Sequence, residues 1–301
     1  MVKKEKKLLI NGIGESGAFY RTHPLLNFVY FAVIIGITTF SNHPAILIAS
    51  FIMAWVYSVL LKGKKAMRFN FMLLLPVILI TVLLNTLNVH NGVTVLFYIN
   101  GNCITLEAII FGFVQGIMIS SVIIWFTCFS VIVTEDKFIY LFGRIAPVIA
   151  LTVSMVFRFI PLLKNRFNEV SAAQRCMGRR KSGRSLTRKL RQLGKEISIL
   201  IAWSLEASIE SADSMEARGY GLRGRTSFHL FRITGKECRI LILMLILGGV
   251  CITACAMDYT NIYYYPQILL PPLSFMQWLS VFSFLVFINI AVIMDIRGRN
   301  K

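Results

Sequence analysis

Six apolar stretches set the frame for this chain: residues 25–40, 44–61, 70–87, 107–133, 240–256 and 273–294, each close to the length that crosses a bilayer as a helix. What lies between them alternates in charge. Residues 1–24 hold 5 Lys/Arg, 62–69 hold 4, 134–239 hold 20 and 295–301 hold 3, whereas 41–43, 88–106 and 257–272 hold none. By the positive-inside rule, both termini and the long middle segment are cytoplasmic. The pattern predicts an all-α polytopic membrane protein. It has an N-terminal membrane domain over 1–133, a cytoplasmic helical module over 134–239 and C-terminal membrane helices over 240–301.

In a soluble protein a net charge of +18 would suggest nucleic acid, but 56% hydrophobic content and the sidedness of the charge account for it better here. A seventh apolar stretch, 145–163, is long enough to span. Were it a span, the basic run that follows would lie outside, and its second half carries Arg158 and Pro161, both costly in lipid. We read it as a helix along or beneath the membrane. The first apolar run begins only at Leu25 and is followed at once by another span, so it is expected to be retained rather than cleaved. Between spans three and four, residues 88–106 hold two β-rich runs around Asn100-Gly101, which predicts a short external hairpin.

The six spans so drawn contain no Asp, Glu, Lys, Arg or His in their interiors, with Glu107 at a boundary. A carrier driven by its own proton or sodium coupling generally needs such groups. No phosphate-binding loop is present; Gly194-Lys195-Glu196 and Gly235-Lys236-Glu237 are each followed by the wrong residue. Six scattered cysteines, without a CxxC pair or a histidine at ligand spacing, argue against zinc. Cys251 and Cys255 share a helix face and read as packing residues, and His43 and His90 as solvated side chains. With no base or carboxylate in the spans to activate a nucleophile, an enzyme is not expected. Nor is a metal or other cofactor.

The cytoplasmic insert reads as two long helices. The first runs from about Ala146 through Arg158 and Pro161, which should bend it, to Met177, with Gly178 as its stop; the second runs from near Ser185 to Arg218, with Gly219 as its stop. On the second, Ile197, Ile201, Leu205, Ser208, Ile209, Ala212 and Met215 share one face, and Glu206, Glu210 and Asp213 lie opposite. The acidic stripe is expected to pair with arginines of the first helix. Ser204, Ala207, Ser208, Ser211 and Ala212 would let another helix come close. Between the helices, Arg179, Arg180, Lys181, Arg184, Arg188, Lys189, Arg191 and Lys195 make a dense basic run. Without interleaved aromatics, and tethered near a bilayer, it points to anionic lipid headgroups rather than nucleic acid.

Glu216-Ala217-Arg218-Gly219-Tyr220 resembles the second of two Ala-Arg-Gly motifs that mark the transmembrane T component (EcfT/CbiQ-like) of energy-coupling factor (ECF) transporters. The run from Phe157 through Arg158 and Pro161 to Leu163, the Ala173-Gln174 pair and the hairpin are similar to that family as well, and the motifs fall in its order. The resemblance implies an energy-coupling subunit of an ATP-driven importer. Two cytosolic ATP-binding cassette subunits would hydrolyse ATP, a membrane S component would bind a vitamin or metal ion, and the long helices would couple them. Each motif arginine of the family docks into a groove on one ATPase, which assigns Ala217, Arg218 and Gly219 to docking, with Arg158, Pro161, Glu206, Glu210 and Asp213 supporting the helices.

The chain departs from the pattern at the first motif. Cys176-Met177-Gly178 stands where the family has Ala-Arg-Gly, so that end loses its arginine. Arg175 or Arg179 would supply the charge only with rearrangement, because two helical steps turn a side chain about 160° away from Met177. Met177 making an apolar contact is the other possibility. A stand-alone permease and a non-transporting membrane scaffold are the alternatives to the coupling role.

Overall fold

The computed structural model describes residues 17–89, 92–99, 102–143, 146–177, 186–222, 231, 233–260, 262, 264–266 and 275–299. Along these run α1 (Pro24–Phe40), α2 (Pro44–Lys62), α3 (Lys64–Asn88), a hairpin of β1 (Val95–Ile99) and β2 (Asn102–Thr105), α4 (Leu106–Ile132), α5 (Glu135–Gly143), α6 (Pro147–Cys176), α7 (Leu186–Ala217), α8 (Gly235–Ala256) and α9 (Phe275–Arg299). Among the described residues the fold is all-α apart from that hairpin. It divides into two compact units, Met1–Lys137 with Phe231–Lys301, and Phe138–Leu230.

The first unit is built around aromatic side chains. Trp125 of α4 and Tyr30 and Phe31 of α1 are completely buried, and the Tyr30 ring stacks on Phe287 of α9 at 5.5 Å. Across this core, hydroxyls tie three helices together. Ser50 of α2 lies 2.9 Å from Thr38 of α1 and 2.9 Å from Ser121 of α4, and accepts the Trp125 indole N–H at 3.0 Å. Where lipid tails are as apolar as leucine, such bonds and close packing hold helices together better than burial does. Close packing is most evident where α3 meets α4. A Cβ on Gly112 would lie 2.9 Å from the Val82 Cα, and one on Gly116 3.1 Å from the Ile78 Cα. A small residue every fourth position on α4 thus lets the two backbones approach.

Six described helices are long and apolar enough to cross a membrane, but they are not the six expected. Pro147–Cys176 is among them, and α1, with 17 residues, falls short on length alone. The two nevertheless differ in setting. α1 buries Leu26, Tyr30, Phe31 and Ile34 within the first unit, whereas α6 belongs to the second. A second correction concerns α9, which continues past Met294 to Arg299 and so carries Asp295, only 3% exposed, into the protein. The spans are therefore not free of ionisable groups.

The hairpin forms as its sequence predicts. β1 and β2 are antiparallel, with Ile99 paired to Asn102 on either side of positions 100 and 101. Those two residues, and His90, lie outside the described residues. Of the two cysteines expected to pack, Cys251 is buried against the Ser280 carbonyl and Cys255 accepts the Thr260 hydroxyl.

Candidate functional site

The second unit is dominated by α6 and α7, and their contact uses small-residue positions of α7 expected to admit a helix, not its isoleucine stripe. Phe159, Leu162, Leu163 and Arg166 of α6 face Leu200, Trp203, Ser204 and Ala207 of α7 around a groove of about 460 Å³. The serine and alanine positions permit the approach, as their size predicts. The isoleucine stripe taken as the packing face stays open: Ile197, Ile201, Leu205 and Ile209 are 46–65% exposed. That face remains available within this unit, since α6 packs on the neighbouring side of the helix.

The expected pairing of the acidic stripe with α6 arginines also fails. Arg166 pairs with Glu169 of its own helix at 3.0 Å, and its guanidinium stacks over the Trp203 ring at 4.1 Å. Glu206 and Glu210 border the same groove and form no ion pair with another described residue. Asp213 is exposed, as are Arg158 and Pro161 on α6. The planar guanidinium is better satisfied by an aromatic face plus a carboxylate three residues away than by reaching across to α7. α6 itself passes through Pro161 unbroken and ends at Cys176.

The end of α7 is closed by a specific set of backbone bonds. Tyr220 N–H donates to the Met215 carbonyl at 3.0 Å and Gly219 N–H to the Glu216 carbonyl at 2.8 Å, with Gly219 at φ +77°. This is a complete Schellman motif, with Arg218 as the C-cap and glycine in the left-handed position that other residues enter only at a cost. Its consequence is to stop the helix one residue past Ala217 and to leave the Arg218 side chain exposed. The end of α6 has a matching outline. Met177 is the C-cap, its N–H bonded to the Ala173 carbonyl at 3.1 Å, and Arg175, Cys176 and Met177 are exposed. Gly178 and Arg179–Arg184 lie outside the described residues. The connection between the helices, 177–185, is too short to carry the chain back along α6, so the helices run in opposite directions and their C-terminal ends point apart.

A match with known proteins bears on this pair of exposed helix ends. The model of a family described as cobalt transport protein, CbiQ, matches residues 19–230. The chain belongs to the CbiQ family. It is similar to the energy-coupling factor transporter transmembrane protein EcfT of Bacillus subtilis, with 27% identity over 208 residues that cover 64% of this chain and 74% of the relative. It is also similar to the EcfT protein of Lactobacillus helveticus, at 29% identity over 102 residues, 34% of this chain and 37% of that relative. As a CbiQ-family chain with long apolar helices it is a multi-pass membrane protein, an energy-coupling transmembrane component of ECF transporters. The matched region takes in both helix ends.

Three charged groups were not singled out from sequence: Asp295 and Lys137, which are buried, and Glu237, which is half-buried. Glu237 belongs to the Gly235-Lys236-Glu237 run considered above as a failed phosphate loop. In the fold it closes the first turn of α8, accepting the Thr234 N–H at 2.8 Å. The signal was present in Thr234-x-x-Glu237, a capping-box spacing. Lys137 and Asp295 have no comparable marker, because a basic or acidic residue just beyond an apolar run is ordinarily solvated.

Proposed function

We propose that this chain transmits the motion of two cytosolic ATP-binding cassette subunits to a membrane S component that binds a vitamin or metal ion. The observation that carries the proposal is the Schellman end of α7, which presents Arg218 on a rigid helix terminus, while the end of α6, carrying Met177, points the other way. Two opposed ends suit two ATPase subunits. An arginine in the last helical turn is favoured by the helix dipole, and its guanidinium can grip a partner carboxylate with two bonds. Ala217 and Gly219 shape that end, while Arg175, Cys176 and Met177 form the other, with Gly178 next in sequence.

In this reading both termini and the second unit are cytoplasmic, the hairpin is external and α6 lies against the membrane instead of crossing it. The run from Arg179 to Lys195 meets anionic lipid headgroups. Glu206, Glu210 and Asp213, left without arginine partners on α6, are available to basic residues of a partner. The membrane domain over 1–133, the module over 134–239 and the helices over 240–301 divide the work into frame, lever and closing pair.

The test is co-purification followed by reconstitution. Gently solubilised, the chain should bring down two ATPase subunits, and uptake by the assembled complex should stop when the catalytic carboxylates of those subunits are removed. Uptake by the chain alone in liposomes would establish a permease instead, and a chain that brings down no ATPase would leave only a scaffold.

A further inference from the structure

Three charged side chains from three separate helices converge on the backbone of one short segment, residues 18–23. From α9, Asp295 accepts the Phe19 N–H at 2.7 Å. From α8, Glu237 accepts the His23 N–H at 3.0 Å while its other oxygen holds the Thr234 N–H, so one carboxylate joins the starts of α1 and α8. From α5, Lys137 donates to the Tyr20 carbonyl and, at 3.0 Å, to the Ile132 carbonyl. With its amide turned to suit its neighbours, Asn27 donates to the Phe19 carbonyl at 3.1 Å and accepts from Lys137 at 3.0 Å. All three N–H groups of the ammonium are then used. The ammonium also sits 4.1 Å from the Tyr20 ring centre.

Apolar contacts complete the attachment. Phe19 is fully buried, with its ring 5.1 Å from Tyr30 and 6.4 Å from Phe31. The His23 ring meets Phe231 edge-on at 6.4 Å. Ala18 packs so closely on α9 that a Cβ on Gly298 would lie 2.3 Å from its own Cβ.

The position of these contacts in the chain gives them meaning. The first unit gives way to the second after Lys137 and resumes at Phe231. The segment at 18–23 is thus fastened to the residue where the chain leaves the membrane unit, to the residue where it returns, and to the end of the last helix. Burying Asp295 and Lys137 and half-burying Glu237 is an expensive way to pack a loop, since apolar residues of similar size would often stabilise as well or better. Every one of the three addresses main-chain atoms, which fixes the path of the segment whatever its side chains are.

We propose that residues 18–23 form a clasp that holds the entry and exit of the cytoplasmic unit together, with Lys137, Glu237 and Asp295 as its positioning residues. Force arriving through α6 and α7 then reaches the membrane helices instead of being lost at two loose connections. The proposal rests on the coupling function proposed above.

The experiment uses the complete complex in liposomes and reads substrate taken up per ATP hydrolysed. Lys137→Met and Glu237→Gln should lower that ratio by about tenfold, the scale of a coupling free energy between sites, with ATPase co-purification and ATP hydrolysis unchanged. Lys137→Arg, which keeps charged donors for the same carbonyls, should restore most of it. Gly298→Ala, which removes no charge but displaces Ala18, should lower it to an intermediate value. If Lys137→Met fails to fold, Glu237→Gln and Gly298→Ala decide the matter. Unchanged ratios in these variants overturn the clasp while leaving the coupling function standing. So does a loss of uptake that only follows loss of assembly and of thermal stability. A wild-type chain that brings down no ATPase overturns both.

Discussion

The carboxylate of Asp295 and the backbone N–H of Phe19 lie 2.7 Å apart, joining the last helix to the segment before the first across 276 residues of sequence. The second carboxylate oxygen accepts the Tyr57 hydroxyl at 3.2 Å, so one buried group organises three elements. Replacing it shows what each bond contributes. Asp295→Leu strands two buried donors at a cost of about 1–3 kcal/mol each. Asp295→Asn keeps an acceptor for Phe19 and offers the Tyr57 hydroxyl a donor. Thermal unfolding in detergent should show a drop of several degrees for leucine and a much smaller one for asparagine. Equal drops would mean that charge, not hydrogen bonding, is what matters there.

His23 gives the same region a pH dependence. Its Nδ1 accepts the Leu25 N–H at 3.3 Å and caps α1, and burial lowers its pKa against the opposing pull of Glu237. A folded pKa below the unfolded one means that, as pH falls through about 6.5, the unfolded chain takes up the proton first. Stability is then present above that pH and is lost as pH falls toward the folded value. Unfolding temperatures measured at about pH 7.5 and about pH 5.5 should show the decline. His23→Gln, which cannot titrate, should flatten it.

The long helices are legible in sequence because each has a sustained apolar or amphipathic run, and Ser185 and Gly219 alone place α7 within a residue or two; the short α5 carries no such signal. Which face packs is legible from Ser204 and Ala207, the small residues expected to admit another helix, and not from the apolar stripe. Ile197, Ile201, Leu205 and Ile209 form the obvious apolar stripe, but α6 settles on Leu200, Ser204 and Ala207, where small residues allow backbones to come close. In a membrane protein an apolar face has lipid or another subunit to meet, so hydrophobicity loses the power to name the contact that it has in water. The buried charges were missed for a related reason. Asp295 and Lys137 each sit just past an apolar run, where solvation is the ordinary outcome. Only the tertiary fold brings Phe19, Tyr20 and Asn27 to them.

The sidedness can be checked at exposed positions. In a background freed of its native cysteines, Tyr98→Cys in the hairpin and Met257→Cys after α8 should react with an impermeant reagent from outside. Met177→Cys and Leu222→Cys should react only after the membrane is opened. All four side chains are more than half exposed, so silence would reflect sidedness and not burial. External reaction at Leu222 would make α6 a span and remove the lever.

Gly219 holds the docking end in shape. At φ +77° an alanine costs about 1–2 kcal/mol in backbone strain, and its Cβ would come within 3.0 Å of a Leu222 methyl. Asparagine enters that conformation more easily. ATPase recovery in pull-down should therefore fall severalfold for Gly219→Ala and less for Gly219→Asn. The rest of the chain should be unaffected, because the strain is confined to the last turn of α7.

The two helix ends should not contribute equally. Arg218 and Met177 occupy equivalent C-cap positions, but only one can form charge-assisted bonds with a carboxylate. Truncating a desolvated arginine that is paired at an interface costs about 2–5 kcal/mol, and losing a methionine from a shallow apolar contact about 1–3 kcal/mol. Pull-down of the ATPases should thus fall sharply with Arg218→Ala and less with Met177→Ala. Met177→Arg should be accepted if the groove facing it keeps an acid, and should weaken assembly if that groove has become apolar to match. The same comparison tests the proposed docking role itself. Arg218 is exposed and makes no ion pair with another described residue, so its removal should not disturb the fold. If Arg218→Ala leaves assembly and uptake intact while Met177→Ala abolishes them, the order is reversed and the end of α7 is not the stronger docking site.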